Sequence, residues 1–216
     1  VNKALIHYYF TNKEKLYTEV LSNYFGLNDE SEIPIIAGSW DLTPPQKLYA
    51  IMYFTTNLKF KVKDPDIDRI MAWEMAEQNH MVNDLVDKIF NEDLTFLGAI
   101  IKEGVETGDF ETDYPLWTII QFHLLLVFYD NLTGFFAKLP DFVDIFSSNE
   151  SNKATTYFIN QIFKMLCPEG KKLIVPTIPQ DLKTILDSTI AYYHERSDTV
   201  KHCRVIPIMK KVLFNE

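Results

Sequence analysis

The 216 residues carry 21 Lys/Arg against 30 Asp/Glu, a formal net charge of −9, and their 47% hydrophobic and 24% charged content is ordinary globular usage that excludes a disordered chain. Seven glycines are less than half the usual ~7% share, which argues against a turn-rich all-β fold. The longest apolar stretch, Leu116 to Tyr129, contains Thr118, Gln121 and His123 and falls short of the ~20 residues a membrane span needs, while Cys167 and Cys203 give no disulfide framework and no signal peptide opens the chain, so a reducing cytoplasm is expected.

Helical periodicity runs through the chain, and Gly and Pro fall between the periodic stretches. A short helix is predicted over about 2–9. A second starts at Thr11, where Thr11 and Glu14 have capping-box spacing, and its apolar side is Leu16, Val20, Leu21, Tyr24 and Phe25. Pro34, Gly38, Pro44 and Pro45 mark a loop; Thr43 followed by Pro44 opens a third helix to about Lys61. Asp64-Pro65 opens a fourth, to about Asn79. A long helix from about Met81 should stop at Gly108, and Asp113 to Lys138 should be a helix buried on several sides. Another starts at Asn149 or Ser151 and ends at Cys167-Pro168, with a turn at Glu169-Gly170; the last is expected over Asp181 to Glu195, and 197–216 is unassigned. The expected class is all-α.

Charge is unevenly spread: residues 1–169 hold 13 Lys/Arg against 25 Asp/Glu, and residues 170–216 hold 8 against 5. An acidic body repels nucleic acid, so any DNA contact must sit on a small, locally basic element. The opening segment offers one. It reads as a short helix bearing Lys3, His7, Tyr8 and Tyr9, side chains able to hydrogen-bond phosphates or base edges, followed by a second helix whose start points free N–H groups outward beside Lys13. Two short core helices with a surface lysine would satisfy the same pattern.

The run Leu5-Ile6-His7-Tyr8-Tyr9-Phe10, the polar pair Thr11-Asn12 and then Lys13-Glu14-Lys15-Leu16 resembles the end of the DNA-binding domain of the TetR family of bacterial transcriptional regulators. The resemblance implies that Asn2 caps a recognition helix, that Lys3 and Tyr8 face DNA, and that Lys13 binds a backbone phosphate. Position 7, most often Tyr in the family, is His here. A second resemblance, Ile101 to Phe110, is to the end of the family's long middle helix, where a glycine-containing turn and Phe precede the dimer-forming helices. The chain opens at Val1, inside the motif and without an initiator Met, so further residues are expected upstream. By this resemblance the helices carrying Met71, Trp73, Met75, Trp117, Phe122 and His123 surround an effector cavity. By periodicity alone the same residues are core, His123 included.

Other constellations carry less chemistry. Glu77 and His80 make one E-x-x-H, half of a carboxylate-bridged di-iron motif, and no second copy follows. His202-Cys203 lacks partners at zinc spacing, and there is no phosphate-binding Gly-rich loop or nucleophile elbow. The expectation is therefore a non-enzyme without metal or cofactor: a remnant of a helix-turn-helix over 1–26, a helical effector-binding and dimerisation domain over 44–168, and an extension of unknown role over 169–216. The partners expected are operator DNA, a small apolar or aromatic effector and a second copy of the chain. Surplus apolar surface points to a four-helix dimer interface, with Leu125, Phe128, Leu132 and Phe135 on one helix and Tyr157, Phe158 and Phe163 on the next. The competing classes are a helical interaction module without DNA binding and, behind it, a helical metal-dependent enzyme.

Overall fold

A computed structural model describes residues 9, 12, 15, 16, 19, 40–61, 69, 73, 94–136, 139 and 151–195, and among these there is helix but no strand. The chain is all-α. Its named helices are α1 (Pro44–Lys61), α2 (Pro115–Phe136), α3 (Ser151–Leu166) and α4 (Gln180–Glu195), with a further helical run over 94–106.

The central element is α1. Thr43 caps it: the Thr43 backbone N–H donates to Gln46 Oε1 at 3.1 Å, and Lys47 N donates to Thr43 O at 2.9 Å as the first helical bond. Pro44 and Pro45 then fill first-turn positions where an N–H would have no partner. Leu48, Ala50, Ile51, Met52, Phe54 and Leu58 are all buried, so α1 is surrounded rather than packed on one side. Among its described side chains the two buried polar ones are satisfied by the helix itself: Thr56 Oγ1 donates to Met52 O at 2.7 Å and Asn57 Nδ2 to Tyr53 O at 2.8 Å.

Both α3 and α4 pack on α1. The contribution of α4 is a stripe at i, i+4 and i+8, Leu182, Leu186 and Ile190, all fully buried. The segment 169–195, set apart by its composition as an extension, thus supplies part of the core. Gln46 Nε2 ties the approach to α4 by donating to Thr177 O at 2.9 Å.

The 94–106 run ends as its sequence predicts. Gly108 adopts φ 76°, the left-handed conformation that glycine takes without a Cβ clash. Around it Asp109 N donates to Gly104 O at 2.8 Å and Gly108 N to Val105 O at 3.1 Å, the paired bonds of a Schellman cap. Phe110 folds back over Gly104 so closely that a Cβ there would collide with its ring. The elbow is then clipped to the end of α3. Glu111 N donates to Leu166 O at 2.9 Å, Glu169 N donates to Glu111 Oε2 at 2.7 Å, and Lys171 Nζ donates to Gly108 O at 2.8 Å. The helix-end carbonyl of Leu166 is satisfied in this way by a residue distant in sequence.

Near the N-terminus the cap falls one residue later than expected. Asn12 Oδ1 accepts from Lys15 N at 2.8 Å, and Asn12 O accepts from Leu16 N at 3.3 Å. Asn12 therefore holds the cap position assigned from sequence to Thr11, in keeping with the stronger preference of Asn for that site. Of the elements expected over 2–9 and 64–79 only Tyr9, Arg69 and Trp73 are described, each in helical conformation; 81–93 and the residues beyond 195 lie outside the described residues.

Candidate functional site

The structural features bearing on function are the outward face of α2, the contact between α1 and α4, and the few described residues before position 40. The face on α2 follows from its composition. At about 100° per residue, Ile119, Phe122 and Leu126 gather on one side and are buried. Across the other half of the helix circumference stand Leu116, Trp117, Ile120, Gln121, Leu124 and Leu125. Gln121 is the one polar residue among them, and Leu116, Trp117, Leu124 and Leu125 are exposed. A helix apolar all round is normally covered all round. At Gly98 the 94–106 helix approaches α2: a Cβ there would touch Ile119 of the inner side at 3.9 Å and Leu116, at the border of the outer side, at 3.7 Å.

Its neighbour α3 has the opposite arrangement. Phe158, Ile159, Ile162, Phe163 and Leu166 all turn inward, Phe163 meeting Phe110 edge to face at 6.2 Å between ring centroids. The exposed positions are Lys153, Thr156, Tyr157, Asn160, Lys164 and Met165.

Where α4 docks on α1, a polar group forms beside the apolar stripe. Tyr53 Oη donates to Asp187 Oδ1 at 2.5 Å, and Lys183 Nζ donates to Asp187 Oδ2 at 2.8 Å. The Lys183 ammonium also lies 5.2 Å from the centre of the Tyr53 ring, and Tyr49 stacks on Tyr53 at 6.1 Å. Burial first, then the bond to the Asp187 carboxylate, pushes the Tyr53 phenol above its ordinary value. The bond to Asp187 holds the Lys183 ammonium above its ordinary value. A raised phenol keeps its proton at neutral pH, so Tyr53 stays a hydrogen-bond donor to Asp187. Lys183 and Asp187 are an i, i+4 ion pair on α4, and Tyr53, 134 residues from Asp187, completes the group.

Of the residues expected to meet DNA, Tyr9 is described and is largely exposed; Asn2, Lys3, His7, Tyr8 and Lys13 lie outside the described residues. Of the expected effector contacts, Trp73 is 62% and Trp117 68% exposed, whereas Phe122 is 4% exposed. Trp117 and Phe122 stand about 140° apart around α2 and do not face a common space. Met71, Met75 and the His123 side chain lie outside the described residues, as do Glu77 and His80. Of the expected dimer contacts, Leu125 and Tyr157 are exposed, while Phe158 and Phe163 are buried in the core of their own chain and so have no free surface for a partner. The side chains of Phe128, Leu132 and Phe135 are outside the described part.

Among the described residues no group of three or more His, Cys, Asp or Glu is placed to hold a metal ion, and no helix is long and apolar enough to cross a membrane. Two buried polar atoms there, Trp40 Nε1 and Thr155 Oγ1, have no hydrogen-bond partner. Compared with protein-family models, curated proteins and solved structures, the chain matches none.

Proposed function

We propose that this chain belongs to a ligand-responsive, DNA-binding transcriptional regulator of the TetR type, a cytoplasmic repressor that acts as a homodimer and has no catalytic role. The observation that carries the reading is the run from Leu5 to Leu16, whose aromatic close, polar pair and Lys-Glu-Lys-Leu resemble that family's junction between recognition helix and body. The all-α architecture and the glycine-capped elbow at Gly108 before α2 are compatible with it. Self-association is supported by the exposed Trp117, Leu124 and Leu125 of α2 and the exposed Tyr157 of α3. The effector is an apolar or aromatic small molecule, a choice supported by the 14% aromatic content. Release from the operator is a population shift: an effector that binds one conformation better changes the spacing of paired recognition helices, which then no longer match successive major grooves.

The test is a salt titration of DNA binding by the protein as its gene encodes it, using duplexes selected from a random pool. Because the body is acidic, a few contacts must supply the affinity. Lys13→Ala should weaken binding to all sequences alike and lower the salt slope by roughly one per lost phosphate contact. Tyr8→Ala should weaken selected sequences more than random ones. Absence of any salt-dependent DNA binding would overturn the reading. It would leave a helical interaction module, a reading favoured by the apolar face of α2 on an acidic body.

A further inference from the structure

We draw no further inference here: the strongest candidate, the outward apolar face of α2 around Leu116, Trp117, Leu124 and Leu125, belongs to the self-association surface already proposed, and nothing else in the structure shows what covers it.

Discussion

Helices α2 and α3 are neighbours in sequence, and both are rich in large apolar side chains, yet they use them differently. In α3 the apolar residues recur at helical spacing, so Phe158, Ile159, Ile162, Phe163 and Leu166 share one side and are consumed by the core. Lys153, Asn160 and Lys164 are left to face water. In α2 the apolar residues have no such phase. Ile119, Phe122 and Leu126 fill the inner side, and Leu116, Trp117, Leu124 and Leu125 remain outside. Large apolar groups thus end in the core in one helix and are partly left exposed in the other. Phase around the helix and hydrophobicity along it both separate the two.

The largest effects should come from the inward sides. Phe163→Ala removes a buried ring that contacts Phe110 and should cost about 3–5 kcal/mol, and Leu186→Ala in α4 about 2–5 kcal/mol, read as a fall in the urea midpoint. Tyr157→Ala, on the outer side of α3, should shift stability by no more than about 0.5 kcal/mol. A Leu186 variant as stable as the parent chain would mean that α4 is not part of the cooperative core.

Changes on the outer side of α2 should act on association. At micromolar concentration the chain should sediment as a dimer, and Trp117→Lys combined with Leu124→Lys should give a monomer, a loss of about 2 kcal/mol or more if these are central contacts. Lys153→Glu on α3 should leave the dimer in place. A monomeric parent chain, or dimers unaffected by the double change on α2, would remove the contrast between the helices.

Two glycines in the elbow before α2 allow a finer comparison. A Cβ at Gly104 collides with the Phe110 ring, which also supports Phe163, so Gly104→Ala should cost about 1–3 kcal/mol through overpacking. A Cβ at Gly108 meets nothing within 4 Å, and Gly108→Ala should cost only the left-handed backbone penalty of roughly 1–2 kcal/mol. Gly108→Asn should recover much of that loss, whereas no change at Gly104 larger than a hydrogen is accommodated without moving Phe110. Thermal denaturation of the three variants separates backbone strain from collision.

The smallest effect concerns the clasp between α1 and α4. Tyr53 and Lys183 both titrate above their ordinary values in the folded chain, Tyr53 through burial and then Asp187, Lys183 through its bond to Asp187. Stability contributed by a group raised in this way is fully present below its unfolded value, near 10 for both, and is lost as pH rises through the folded value. The chain should therefore lose stability above about pH 10. Tyr53→Phe should flatten part of that alkaline fall and cost about 1 kcal/mol at pH 8 for the lost hydrogen bond. Urea midpoints between pH 8 and 11 check both; an unchanged alkaline fall in the Phe variant would assign it to other groups.

Local chemistry made most of the described helices legible before any coordinates. Thr43 with two following prolines determines where α1 starts, Gly108 determines the end of the 94–106 run, and Cys167-Pro168 with Gly170 closes α3, because caps and left-handed turns involve residues a few positions apart. Asn12 shows the limit of such reasoning, since two adjacent residues could each cap and only the backbone path selects one.

The partners lay beyond the reach of sequence. Nothing local to 169–195 says that Leu182, Leu186 and Ile190 complete the core around α1, that Asp187 receives the Tyr53 phenol, or that Glu111 closes the end of α3. Nor could the apolar content of α2 and α3 distinguish Phe163, committed to its own chain, from Trp117, left outside. Helix formation is decided by neighbours along the chain. Which side of a helix is covered, and by what, is decided by elements brought together across more than a hundred residues, and that is a property of the tertiary structure alone.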